Sequence, residues 1–220
     1  MKLNLWLYKL ENKISRFAIE NLMTLLAGAM AILYIADIIM AMSDAPSSLY
    51  SMLTFDRAAI LRGQVWRVFT FLFLYPTDTN PIFVLLSLYF YHWTGTAVER
   101  HWGKARFNLY YLFGFIGSII AGFIVGGMTN VWLNLTIFLA FAVIYPDLQV
   151  LLFFIIPIKV KWLGLIEGIL LILVFIFGNI IVRAALIVCF LNFLLFFGND
   201  LIRMIKQKYQ EYKWRHPPKR

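Results

Sequence analysis

The chain has 220 residues, 62% hydrophobic and 14% charged, with a formal net charge of +9. A water-soluble domain needs a largely polar surface and cannot carry that much apolar side chain. The apolar residues run in blocks long enough for bilayer-crossing helices of about 20 residues, which predicts an all-α polytopic membrane protein and leaves too little sequence for a separate soluble domain.

Residues 1–20 alternate apolar and charged positions, with Lys2, Lys9, Glu11, Lys13, Arg16 and Glu20 against Leu3, Trp6, Leu7, Leu10, Ile14 and Phe17 at helical spacing. This predicts an amphipathic helix on the membrane surface rather than a cleavable signal peptide. Six spans follow within a membrane domain covering 21–202: residues 21–42, 81–98, 106–127, 130–145, 162–177 and 184–202. The fourth is short and could run on into 151–156. The connection 146–161 is interrupted at Pro146 and Pro157, and 203–220 form a basic tail. The long first loop, 43–80, is too apolar for water and too interrupted to span, which places it partly within the outer leaflet. There Arg67 reaches the headgroups and Trp66 anchors the interface. Trp6, Tyr50, Trp93, Trp102, Trp132 and Trp162 fall near span ends and read as further anchors.

With the N-terminus cytoplasmic, the cytoplasmic segments hold 16 Lys and Arg and the opposite side 4. The positive-inside rule then puts both termini in the cytoplasm. The asymmetry accounts for the net charge without a nucleic-acid partner, and the basic tail is expected to meet anionic headgroups. The single cysteine, Cys189, reads as a small packing residue. With three scattered histidines it forms no metal site, and no cofactor is expected.

Two segments carry a resemblance. One is Gly63-Gln64-Val65-Trp66-Arg67-Val68-Phe69-Thr70. The other is Gly95-Thr96-Ala97-Val98-Glu99-Arg100-His101-Trp102-Gly103, followed by Lys104-Ala105-Arg106-Phe107. A Trp-Arg pair in the first loop, and Gly95, Glu99 and Gly103 at four-residue steps in the second helix, resemble the rhomboid intramembrane protease superfamily and its inactive relatives, the Derlins. The likeness covers residues 20–200. The stretch Lys9-Leu10-Glu11-Asn12-Lys13 leading into Phe17-Ala18-Ile19-Glu20-Asn21-Leu22-Met23 resembles a rhomboid-related group of Gram-positive bacteria, which implies a bacterial cell membrane. The resemblance implies a six-helix bundle with a membrane-embedded first loop.

It also implies chemistry whose residues are missing. Rhomboids place a serine before a glycine in the fourth helix, a histidine in the sixth and a His/Asn pair in the second. Alignment puts Phe83 and Ser87 at the second-helix pair, Thr136 at the nucleophile and Asn192 at the base. A phenyl ring donates no hydrogen bond, a lone hydroxyl is a poor nucleophile at neutral pH, and an amide cannot shuttle a proton near pH 7. His92, His101 and His216 lie away from the fourth helix, and a pairing of His92 with Ser118 has no support in the spacing. Gly114, Gly117, Ser118, Ala121 and Gly122 give the third span a smooth face for helix contact. In the last helix Gly198 is preceded four residues earlier by Leu194, which implies a looser seat against the fourth than in active relatives.

The leading expectation is therefore a rhomboid-like pseudoprotease without catalytic residues. It would bind transmembrane segments of client membrane proteins and affect their folding, transport or degradation. An atypical intramembrane serine protease is one alternative. A small transporter or channel is another, since Asp37, Asn134, Glu167, Asn179 and Asn192 lie in or near spans. There Asp37 and Glu167 are placed close enough to helix ends to reach the interface.

Overall fold

The computed structural model describes residues 2–43, 48–77, 80–152 and 156–215. Apolar periodicity and polar caps divide it into ten α-helices and two short ribbons. The helices are α1 (Lys2–Ile14), α2 (Leu22–Met42), α3 (Leu49–Leu53), α4 (Arg57–Leu61), α5 (Arg67–Thr70), α6 (Pro81–Trp102), α7 (Lys104–Val125), α8 (Val131–Ile144), α9 (Val160–Phe177) and α10 (Ile180–Arg215). The antiparallel ribbons pair β1 (Phe55–Asp56) with β2 (Gly127–Met128) and β3 (Gln149–Leu152) with β4 (Ile156–Lys159). Among the described residues, α2, α7, α9 and the Ile180–Gly198 part of α10 are long and apolar enough to cross a membrane. The protein is a mostly helical, membrane-embedded chain. Helix α6 matches α7 in length but ends in Glu99, Arg100 and His101. Helix α8 has 14 residues.

Helix α8 is the centre of the bundle. Nine of its residues are buried, Leu133 to Ala142 with the exception of Leu135. It packs on α6, α9 and α10, while α7 packs on α10 and α6, and α2 on α6. The small face of α7 takes close neighbours. A Cβ at Gly114 would lie 2.5 Å from Leu133 Cδ1, and one at Gly117 would lie 2.6 Å from Val188 Cγ1. Local sequence explains the starts: Asn80 accepts from the Ile82 N–H at 2.9 Å ahead of Pro81 at the first turn of α6, and Asn179 accepts from the Val182 N–H at 3.0 Å at the start of α10.

Several boundaries differ from the sequence reading. Helix α6 continues past 98 to Trp102 and ends where Gly103 takes φ +82°, a conformation that leaves the helix and that glycine adopts without strain. Helix α10 runs through the expected tail to Arg215, since Lys, Gln, Glu and Arg are good helix formers. The connection 146–161 contains a β-hairpin, so the fold is not purely helical. Helix α8 stops at Ile144 and does not run on to 151–156. Residues 153–155 lie outside the described residues, as does His216.

The first loop is docked rather than floating. Strand β1 pairs with β2 beyond the end of α7. The Phe55 ring lies where a Cβ on Gly122 would approach to 2.6 Å. The Asn130 amide donates to the Leu72 and Leu74 carbonyls, each at 2.8 Å. The Asp37 carboxylate of α2 accepts from the Tyr75 hydroxyl, the Ser48 hydroxyl and the Leu49 N–H. Arg67 is corrected by this geometry. Its guanidinium does not reach for headgroups but donates to the Ser51 and Thr54 carbonyls at 2.7 and 2.9 Å and to Gln64 at 2.7 Å. Carbonyls of an irregular loop have no ladder partner, and Arg67 supplies donors to two of them from within the loop.

The tryptophans also divide. Trp66 and Trp162 are exposed, with Trp66 Nε1 donating to the Met52 carbonyl at 3.3 Å. Trp93 packs on Phe141 and Trp102 on Phe197, at centroid separations of 5.1 and 4.2 Å. Trp132 packs against the core. These three pack against the bundle, Trp93 and Trp102 on aromatic partners.

Asp37→Ala removes the acceptor shared by three donors of the loop. It should destabilise the loop's docking by about 1–2 kcal/mol while leaving the helices folded. Faster hydrogen exchange across 49–75, with unchanged far-ultraviolet dichroism, is the expected result.

Candidate functional site

Two groups of residues carry the sequence-level interest, and the structure separates them. The first is the junction of α2, α6 and α7. Gly95 lets α2 approach: a Cβ there would lie 2.2 Å from Met23 Cγ. One turn on, the buried Glu99 carboxylate accepts from the Leu22 N–H at 2.9 Å and the Met23 N–H at 3.2 Å. These are free donors of the first turn of α2, where a negative charge also meets the positive end of the helix dipole. One further turn on, Gly103 has φ +82° and turns the chain from α6 straight into α7. A side chain is strained at that φ. The four-residue spacing therefore puts three devices on one face of α6.

The same end holds the basic groups. Asn108 exchanges two hydrogen bonds with the backbone of Ile19, at 3.0 and 2.9 Å. Arg106 donates to the Phe196 carbonyl at 2.7 Å, lies 5.0 Å from the Trp102 ring centroid and pairs with Glu11 at 3.8 Å. Asp147 lies 3.4 and 3.2 Å from Lys159 and Lys161, which hold its carboxyl below the usual aspartate range, chiefly by hydrogen bonding from Lys161. Lys104 donates to Glu20, and that hydrogen bond, with the ammonium charge, holds the Glu20 carboxyl below the usual glutamate range.

The second group is a polar cluster in the bundle core, built from α7, α8 and α10. Thr136 and Asn192 are both brought to Tyr110. The Tyr110 hydroxyl bonds Thr136 Oγ1, which itself donates to the Leu133 carbonyl at 2.8 Å. The Asn192 amide donates to the Tyr110 backbone carbonyl at 3.0 Å. Gly114 makes room for it, since a Cβ there would lie 3.0 Å from Asn192 Nδ2. Beside them the Tyr111 hydroxyl donates to Asn134 Oδ1 at 2.9 Å. All five side chains are buried. Asn134 Nδ2 and Asn192 Oδ1 have no hydrogen-bond partner among the described residues.

Phe83 and Ser87 are not brought to this cluster. Phe83 is exposed and Ser87 half-buried, while the neighbouring Val84 and Leu88 turn inward. His92 sits 3.4 Å from Thr96 Oγ1 on its own helix, and His101 is exposed against the Tyr145 ring. Gly198 meets nothing within 4 Å and Leu194 is exposed, so neither forms a close helix contact. Phe193, Phe196 and Phe197 fill that seam instead.

Sequence reasoning missed Tyr110 and Tyr111. The available signal was position: Tyr110 lies four residues before Gly114, on the face already marked by small residues. The transport candidates separate as well. Asp37, Asn134 and Asn179 serve internal hydrogen bonds. Glu167 does not reach the interface: both carboxylate oxygens are buried and lack a hydrogen-bond partner among the described residues. Among the described residues no group of three or more His, Cys, Asp or Glu could hold a metal ion. No family model, curated protein or solved structure matches the chain.

Glu99→Ala should leave the Leu22 and Met23 N–H donors without their acceptor and cost about 2–4 kcal/mol, whereas Glu99→Gln keeps one acceptor and should cost about half as much. Unfolding in mixed micelles measures both. The Glu20 carboxyl, held low, contributes stability above the ordinary glutamate pKa of about 4.3 and loses it as pH falls through the lower folded value. In a carbon-detected titration its midpoint should lie below that of a free glutamate, and Lys104→Gln should return it to the ordinary range.

Proposed function

We propose that the chain is a rhomboid-like protein of a bacterial cell membrane, with six spans and both termini cytoplasmic. In this reading it binds transmembrane segments of client membrane proteins laterally and does not cut them. Helices α6 and α8 supply the two spans that fall short on apolarity or length, with the first loop lying partly in the outer leaflet above α8. A short α8 suits this arrangement, because the docked loop covers its end where lipid would otherwise meet backbone. The clustering of Lys104, Arg106, Lys159 and Lys161 at one end suits the positive-inside orientation.

One observation carries the reading. The residues at the resemblance's scaffold positions, Gly95, Glu99 and Gly103, each perform a packing or capping task. The residues at its reactive positions, Thr136 and Asn192, are tied to Tyr110. A hydroxyl that donates to a carbonyl and accepts from a phenol has no base to take its proton. The scaffold is kept and the reactive centre has become internal glue.

Photocrosslinkers at Leu86 of α6 and Leu170 of α9, both exposed, should capture single-span segments co-expressed with the chain. The purified protein should not react with a fluorophosphonate. Clean cleavage of a reconstituted membrane-spanning peptide, abolished by Thr136→Ala, would overturn the proposal.

A further inference from the structure

Helices α2 and α7 both pack on α6, and a cavity of about 530 Å³ lies between them. That size falls in the range of about 300–1,000 Å³ typical of small-molecule sites. One end is lined by Ile14, Phe17 and Ile19, where the Asn108 side chain bonds the Ile19 backbone. The other end is lined by Leu72 and Phe73 of the first loop, beside Phe115. Between Asn108 and Phe115 the groove follows α7 for about 10 Å. Leu25 and Leu112 on its walls are exposed, so it opens sideways, while Leu26 and Tyr111 on its floor are buried. Asn108 and Tyr111 carry the polar side chains of the lining, and both are committed. Asn108 also donates to the Lys104 carbonyl, and the Tyr111 hydroxyl donates to Asn134.

Such a groove takes a guest that is apolar along its length, short and thin. A spanning helix is about 30 Å long and about 10–12 Å across. A slot of about 10 Å that ends at the first loop gives it no seat. An acyl chain of one leaflet has the right reach, since half the hydrocarbon core is about 15 Å deep. The mouth sets the headgroup. Lys9, Lys13 and Arg16 are exposed and follow one another at four- and three-residue steps, on one side of α1 and the turn after it. Lys13 and Arg16 are chain neighbours of the lining residues Ile14 and Phe17. The carboxylates closest to them in sequence are engaged elsewhere: Glu11 pairs with Arg106 and Glu20 with Lys104. We infer that the groove between α2 and α7 binds an anionic phospholipid, with one acyl chain in the slot and the phosphate against Lys13 and Arg16. Basic side chains beside an apolar slot favour that lipid over a zwitterionic one. The bound chain fills the space left between α2 and α7, and the headgroup ties α1 to the same lipid. This inference rests on the membrane setting and is independent of the client-binding reading.

The test reconstitutes the full chain into phosphatidylcholine vesicles with a trace of lipid that carries a photoactivatable group midway along one acyl chain. The labelled lipid is either phosphatidylglycerol or phosphatidylcholine. Peptide mass spectrometry maps the adducts, and labelling at Leu25 and Leu112 is divided by labelling at Ile169, an exposed residue of α9. The ratio for phosphatidylglycerol should exceed that for phosphatidylcholine about tenfold, as expected of two basic side chains beside one headgroup. Lys13→Gln together with Arg16→Gln should remove that excess and leave the phosphatidylcholine ratio unchanged. Leu25→Trp, which narrows the groove from its exposed wall, should lower both ratios. Equal ratios for the two lipids on the unmodified chain would overturn the inference, and so would an excess that survives the double substitution. Labelling no stronger at the groove than at Ile169 would overturn it as well. Because the preference is read first on the unmodified chain, poor folding of a variant cannot hide the result.

Discussion

A helix that begins inside a protein leaves its first backbone N–H groups without partners, and in a membrane bundle no bulk water is present to take them. Helix α2 meets this constraint by starting against α6, where the Glu99 carboxylate accepts from Leu22 and Met23. The contact is possible because Gly95 removes the side chain that would hold the two helices apart. It is held in register because Gly103 turns the chain directly into α7, bringing Asn108 onto Ile19 and Lys104 onto Glu20. The placement of α1, α2, α6 and α7 thus follows from one buried acid and the small residues around it. Once α2 is set, Asp37 near its far end is in place to receive Tyr75, Ser48 and Leu49. The docking of the first loop therefore inherits its position from the Glu99 contact.

The first loop shows the same constraint at the other end of the bundle. Irregular backbone packed against helices needs partners for its polar groups. Asp56 caps Ala58 and Ala59, Arg67 takes the Ser51 and Thr54 carbonyls, and Asn130 takes those of Leu72 and Leu74. Asp56, Arg67 and Asn130 are thus committed to backbone. Aromatic contacts of Phe55 and Phe71 with Phe115 and Phe123 close the space between. The loop is a small folded unit whose polar content faces itself.

Much of the scaffold was legible in the sequence because long apolar blocks and a four-residue glycine–acid–glycine spacing are strong local signals. The placing of α2, α7, α8 and α9 followed from them within a few residues. The roles of polar residues were not legible, because they depend on which backbone groups lie across the bundle. Arg67 read as a headgroup contact until the Ser51 and Thr54 carbonyls were placed beside it. Trp102 has the position of an anchor in the sequence, and only the Phe197 ring across the bundle makes it a packing residue. Tyr110 carries no motif, yet it joins Thr136 and Asn192, residues 56 positions apart in the chain. The hairpin over 149–159 gave no clear signal either, since its apolar run fits a span as well as a strand.

The distribution of satisfied and unsatisfied polar groups says where the molecule is complete. Around α7, α8 and α10, the buried hydroxyls and amides at Tyr110, Tyr111, Asn134, Thr136 and Asn192 hydrogen-bond to one another and to backbone. Interhelical polar contacts of this kind contribute about 0.6–2 kcal/mol each in membranes, enough to fix the pairing of helices that are otherwise held by dispersion forces. Helix α9 stands outside that economy. It makes one tight contact at Gly164, meets open space at Gly168 and carries a carboxylate with no hydrogen-bond partner among the described residues. The acid at Glu99 is satisfied by two N–H groups, while Glu167 has no hydrogen-bond partner among the described residues.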